Sequence, residues 1–277
     1  MGEKSIRPTR PSNYSSFIPH NSFFPMTDFR SFRATAVVVR HSDWGEADRL
    51  LTLYTREQGM VRALAKGARK ITSRKAGHLQ PFTHVTVQLA KGRDLLIVTQ
   101  AETINAFLPL HDDLTKTGYA AYIVELLYRF SYEEEGGNPT LFRLLVETLD
   151  RIEKEDDAWL AIRYYEMRLL DSVGFRPQLF ECANCGREIL AEDQFFSFTV
   201  GGAICPRCGQ GLPNLMKISV ETLKYLRHFQ RSSYRDASRA RPSFEVQKEA
   251  EVLMQGYFTY LLERELNTPG FIKRVKS

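Results

Sequence analysis

The residues in this chain best spaced for chemistry are its four cysteines. Cys182-Ala183-Asn184-Cys185 and Cys205-Pro206-Arg207-Cys208 make two C-x2-C pairs with nineteen residues between them. Thiolates two residues apart can turn back onto one ion, and a second pair completes a tetrahedron of soft sulfur ligands. The intervening segment is suited to bringing the pairs together. Gln194–Val200 reads as a strand, Gly201-Gly202 as a turn and Ala203-Ile204 as the return. Gly186 and Gly209 each follow a pair, where a tight reversal favours a residue without a Cβ. Two disulfides would need an oxidising compartment, and no apolar segment of a secretory signal follows Lys4, Arg7 and Arg10. A redox C-x-x-C leaves the matched second pair unexplained. The spacing therefore predicts structural Zn2+ held by Cys182, Cys185, Cys205 and Cys208. Four thiolates leave no open coordination position, so the ion's work is to fold a module too small to fold alone.

The second concentration of chemistry is cationic. Between Glu57 and Asp94 there is no acid, while Arg62, Lys66, Arg69, Lys70, Arg74, Lys75, Lys91 and Arg93 all fall there. The run Lys66–Lys75 lacks apolar periodicity and is placed on a loop. Its cations could neutralise phosphates, with release of counterions, and its glycine and serine would let backbone N–H groups approach. A solvated basic loop is the plainer reading of charge alone. Val85, Val87 and Leu89 alternate as strand wall, so the phosphate surface contracts to Lys66–Lys75, with Lys91 and Arg93 on a nearby turn. Trp44, Tyr54 and Phe82 are available for base stacking, although a small barrel also needs aromatic filler. Ser42-Asp43-Trp44-Gly45 reads as an exposed turn, which favours Trp44 among the three.

The elements that must position these residues change character along the chain. Residues 1–25, rich in Pro, Ser, Asn and Arg, read as a disordered leader, and Met26 is a possible second start. Phe32–Arg40, Asp48–Thr55, Gly59–Ala65, His84–Ala90 and Leu95–Ala101 read as strands separated by turn residues. Five short strands fit a small closed barrel, an OB-fold, with an SH3-like barrel as rival. After Pro109 the period becomes helical. Helices are expected over Lys116–Tyr132, Thr140–Ile152 with Asn138-Pro139 as cap and first turn, Ala158–Val173, Ser219–Gln230 and Ser243–Leu266, the last ended by Pro269-Gly270. The expected class is α+β and multidomain. A five-stranded OB-fold barrel covers 26–108, a helical domain 109–177 and 214–277, and an inserted four-cysteine zinc module 178–213.

Charge follows the same division. Residues 1–110 carry sixteen Lys/Arg against eight Asp/Glu, residues 111–171 seven against fourteen, and residues 172–277 fifteen against eleven. A basic first third beside an acidic middle points to separate surfaces for separate partners. No apolar run approaches a membrane span, and the cytoplasm is the expected compartment. Nucleotide-binding, zincin and nucleophile-elbow motifs are absent from the sequence. His41, His78, His84 and His111 are scattered and read as surface or turn residues. Glu46 and Asp48 read as partners of basic neighbours, and Glu133-Glu134-Glu135 and Asp156-Asp157 as solvated helix ends. No constellation supports enzyme chemistry.

Several elements stand in a recognisable order: Gly45-Glu-Ala-Asp48 before a strand, Lys66-Gly67-Ala68-Arg69-Lys70 followed by Ser73, Leu79-Gln80-Pro81-Phe82, Tyr122–Leu126, then Leu169-Leu170, Gly174 and Pro177 leading into the cysteine pairs. The ordered set, from about Phe32 to Cys208, resembles the RecO family of bacterial DNA repair and recombination mediators. The resemblance implies an OB-fold, a helical domain and a zinc module. It implies binding to single- and double-stranded DNA and annealing of complementary strands. With RecR, and in some bacteria RecF, such proteins help load RecA onto DNA coated by the single-strand-binding protein SSB, whose acidic tail they contact; this would make the protein nucleoid-associated. The family's DNA-contacting cations would fall on Lys66, Arg69, Lys70, Arg74 and Lys75. The alternative class is a zinc-containing OB-fold transcription or RNA-binding factor, and a third is a metal-dependent hydrolase, against which the closed thiolate set argues.

Overall fold

A computed structural model describes residues 30–131 and 136–276. The proposed leader and the Glu133–Glu135 run lie outside the described residues. The first strand, β1 (Ser31–Trp44), is followed by β2 (Asp48–Thr55), β3 (Gly59–Ala65), a 3-10 turn (Ala76–Leu79), β4 (His84–Lys91) and β5 (Leu96–Asn105). They close in the order β1-β2-β3-β5-β4, with β4 pairing back onto β1 and β3 running parallel to β5. This is the Greek-key closure of the OB-fold.

The run Ala-Val-Val-Val in β1 is apolar on both faces because both faces are covered. Ala34, Ala36 and Val38 point into the barrel with Leu51, Leu53, Val85, Val87 and Leu89. Val37 and Val39 point outward into a second core shared with the helices. A register shift between Val38 and Arg40 lets the strand bend from β4 towards β2. It also extends β1 through Ser42-Asp43-Trp44, four residues beyond the sequence expectation, so the turn itself is Gly45–Ala47.

The helical part comprises α1 (Pro109–Asp112), α2 (Leu114–Phe130), α3 (Pro139–Lys154) and α4 (Trp159–Ser172). A small sheet follows, of β6 (Gln194–Ser197), β7 (Gly202–Ile204) and β8 (Met216–Ile218), with the short helix α5 (Pro206–Gly209) after β7. The third strand lies beyond the expected 178–213 module and has no signature in the sequence. The chain ends in α6 (Val220–Arg231), α7 (Tyr234–Ala237), α8 (Phe244–Leu262) and α9 (Thr268–Lys276).

Caps explain several boundaries. Asn138 Oδ1 accepts from the Leu141 N–H at 3.0 Å with Pro139 in the first turn, and Ser219 and Ser243 cap α6 and α8. Asn138→Ala is expected to lower stability by about 1 kcal/mol, a melting shift of a few degrees at constant salt that calorimetry would read. The expected stop at Pro269-Gly270 is corrected. α8 ends at Leu262, where Glu263 takes a φ of 53°, and Pro269-Gly270 open α9. Proline fits a helix's first turn, whose N–H groups lack intrahelical acceptors anyway. Glu125 on α2 holds that end: its carboxylate accepts from the Asn267 and Thr268 backbone N–H groups at 3.0–3.1 Å.

Candidate nucleic-acid interface and metal centre

The Lys66–Lys75 loop follows β3 as expected, and it is firmly seated. Ala68 and Leu79 are buried inside the barrel core. The Gly67 N–H donates to Asp48 Oδ1 at 2.7 Å. Arg69 reaches the β1–β2 turn, donating from Nη1 to Gly45 O and Glu46 O at 3.2 Å each and pairing through Nη2 with Asp43 at 3.2 Å. The expectation that Glu46 and Asp48 pair with basic side chains is therefore corrected. Asp43 takes the guanidinium, and Asp48 takes a backbone N–H that glycine presents closely. Phe82 and Tyr54 are core residues between barrel and helices, whereas Trp44 is half exposed.

The eight sequence-selected cations divide by partner. Lys75 Nζ donates to Val98 O at 3.1 Å, and Arg69 is held as above. Lys66, Lys70 and Arg74 are exposed and pair with no carboxylate among the described residues. Lys91 ends β4 and Arg93 lies in the exposed β4–β5 turn. Arg62 projects from β3 into a separate cleft lined also by Arg40, Thr52 and Tyr128.

Arg74 and Lys75 form one wall of a groove of about 540 Å³ crossing β1, β4 and β5. Its floor is set by register: Arg33 lies opposite Gln88, and Gln88 opposite Gln100, with Thr86 opposite Glu102 in the next row. His78, at the loop's end, contacts Thr103 Oγ1 at 2.7 Å. Arg33, Gln88 and Gln100 were missed by motif reading. Alternation carried the signal, since Thr86 and Gln88 are the outward residues between Val85, Val87 and Leu89. His84, read as a surface residue, is half-buried against Phe142 with ring centroids 5.7 Å apart, and burial holds its pKa below the ordinary value.

The four cysteines converge as their spacing predicts. Their Sγ atoms all lie within 4.8 Å of one another, and Cys185 and Cys205 are 4.0 Å apart. Four sulfurs at about 2.3 Å from one ion would stand about 3.8 Å apart. They are free thiols, and 4.0 Å is far from a disulfide bond. The turn after the first pair is closed by Gly186 N–H to Cys182 O at 2.8 Å, and that after the second by Gly209 N–H to Cys205 O at 2.9 Å. Cys182 Sγ accepts from the Cys205 N–H at 3.3 Å. The Arg187 side chain donates to Cys185 at 3.4 Å and, with its backbone N–H, holds that thiol down at about 6, whereas burial pushes Cys205 up to about 11.

A third feature lies on the helices. A groove of about 760 Å³ runs between α2, α4, α8 and α9, walled by Tyr119, Tyr122, Trp159, Ile162, Phe244, Val252 and Ile272. Lys248 and Lys273 also line it, with Asp157 and Glu251 as acids. Arg163 is buried there, its Nη2 on Glu166 at 2.9 Å, while its Nε and Nη1 find no acceptor among the described residues. Tyr122 OH donates to the same carboxylate at 2.6 Å. Burial pushes Glu166 up to about 7, against the pull of Arg163.

Fold and site together define an OB-fold protein with a cation-walled barrel groove and, beside a helical domain, four cysteines within metal-binding distance of one another. Two family descriptions match, Recombination protein O N terminal over residues 26–107 and Recombination protein O C terminal over residues 111–269. The chain belongs to the Recombination protein O (RecO) family. It is 37% identical over 243 residues to the DNA repair protein RecO of Dehalococcoides mccartyi, covering 87% of this chain and 94% of that one. It is 40% identical over 248 residues to the DNA repair protein RecO of Roseiflexus sp. (strain RS-1), covering 89% and 87%. The corresponding protein of Pelotomaculum thermopropionicum is 35% identical over 243 residues, covering 88% and 94%. No helix among the described residues is long and apolar enough to cross a membrane.

Proposed function

We propose that this protein is a cytoplasmic, non-enzymatic mediator of DNA repair and homologous recombination. It binds single- and double-stranded DNA, anneals complementary strands and, with RecR and RecF, helps load RecA onto SSB-coated single strands. The observation that carries the reading is the acid-free loop, whose Lys66, Lys70 and Arg74 have no carboxylate to neutralise them among the described residues and which lends Arg74 and Lys75 to one wall of the barrel groove. Such cations beside a polar floor suit a polyanion with hydrogen-bonding bases. Family membership favours DNA over the RNA-binding alternative. Structural Zn2+ on Cys182, Cys185, Cys205 and Cys208 fits the sulfur geometry and would hold β6–β8 against the helices.

The helical groove is the proposed seat of the SSB tail. That tail is acidic and apolar, which complements apolar walls, two lysines and the Arg163 N–H groups that find no acceptor among the described residues. Binding of a tail peptide, followed by calorimetry, is expected to weaken about tenfold for Lys248→Glu combined with Lys273→Glu, on the scale of one charge-assisted contact. Undiminished binding would place the tail elsewhere. The decisive experiment for the whole reading is annealing of complementary oligonucleotides coated with SSB. The protein should accelerate it at low salt, and no acceleration would overturn the assignment.

A further inference from the structure

We propose that Trp44 and Ile71 form a tip that contacts the nucleobases of single-stranded DNA, and that Arg69 positions this tip and does not bind phosphate. The proposal rests on the DNA reading of the barrel and deepens it. Trp44 ends β1 at 50% exposure, and Ile71 is fully exposed on the basic loop. Single exposed apolar residues are ordinary on protein surfaces. These two differ because their segments are fastened together. The Arg69 guanidinium binds Gly45 O and Glu46 O of the turn that follows Trp44, and the carboxylate of Asp43, the residue before Trp44 on β1. The Arg69 backbone N–H donates to Ala47 O at 2.9 Å, and the Gly67 N–H to Asp48 at 2.7 Å. Two residues later the loop presents Ile71.

Such fastening fixes the two backbone segments relative to each other before any ligand arrives, which lowers the ordering cost of binding. The surroundings specify the ligand. Lys70 precedes Ile71 and Arg74 follows it, and neither pairs with a carboxylate among the described residues. On the Trp44 side the acid Asp43 is already paired with Arg69, so an apolar tip with these cations on the Ile71 side matches a chain of apolar rings on an anionic backbone. A single strand offers those rings to a stacking indole and a wedging isoleucine; a duplex offers them only after unstacking. The remaining tryptophan, Trp159, is buried in the helical domain, so emission from an exposed indole reports on Trp44.

The test titrates the full chain with oligothymidine and with an abasic oligonucleotide of equal length. Oligothymidine should quench the exposed-indole emission, and the abasic strand, held by charge alone, should not. Trp44→Phe should abolish the quench. By anisotropy of a labelled strand, Trp44→Ala and Ile71→Ser should each weaken oligothymidine binding about tenfold at high salt, with the salt slope unchanged because every phosphate stays neutralised as before. Arg69→Lys keeps the charge but cannot bridge two carbonyls and a carboxylate. It should lose the quench while its salt slope and melting temperature stay as in the parent. Salt-sensitive binding with full emission and unaltered Trp44→Ala and Ile71→Ser affinities would overturn the tip and leave the barrel reading standing. Full quenching in Arg69→Lys would overturn its positioning role. Failure to bind either strand would overturn the DNA reading and the tip with it.

Discussion

Stripping the proposed Zn2+, or replacing Cys182 by serine, is expected to lower stability by on the order of 5 kcal/mol, about 10–20 °C in melting temperature for a unit of this size. The effect should be large because the thiolate cluster lies against the core. Cys182 is 1% exposed and belongs to the same cluster as Leu179, Phe196, Ile204 and Tyr257. The sheet it fastens has strands of four, three and three residues, too short to stand unaided. Phe196 packs edge-on against Tyr257 of α8 at 5.5 Å, so loosening β6 removes a partner from the helices. The measurement is calorimetry before and after chelation, with metal content read in parallel. Cobalt substituted for zinc should show the visible bands of a tetrahedral thiolate site. A chelated protein that melts unchanged would remove the structural role of the ion.

What could be read in advance follows from how local the determinant is. The limits of β2 and β3 were legible because turn residues mark both their ends. The cysteine site was legible because a C-x2-C pair chelates through its own backbone turn. β1 was cut short because His41-Ser42-Asp43-Trp44 is polar, and the register shift that carries it onward leaves no compositional trace. β8 was hidden for the same reason: three residues paired to a strand about twenty residues earlier have no period of their own. The helical groove draws on α2, α4, α8 and α9, and no spacing along the chain joins them. Arg69 is the most instructive case. Its charge made it resemble Lys70 and Arg74, yet a planar fork beside two turn carbonyls and Asp43 is used differently from a lysine on an open loop.

That distinction decides how the DNA reading should be probed by charge reversal. The triple variant Lys66→Glu, Lys70→Glu, Arg74→Glu is expected to weaken binding to single-stranded DNA on the order of 10²-fold at low salt, and to lower the salt slope by about 2, at roughly 0.7 for each phosphate no longer neutralised. Annealing should fall in parallel. The melting temperature should hold, since exposed substitutions away from caps and ion pairs shift stability by less than about 0.5 kcal/mol, and these side chains support nothing else among the described residues. Reversing Arg69 as well would confound the result. A glutamate there would face Asp43 and leave the Gly45 and Glu46 carbonyls without their side-chain donor, so weakened binding could come from a loosened barrel edge. Sparing Arg69 makes the outcome unambiguous. Reduced affinity with intact melting places phosphate on the Lys66–Arg74 loop, and unchanged affinity at low salt removes DNA from this face of the barrel.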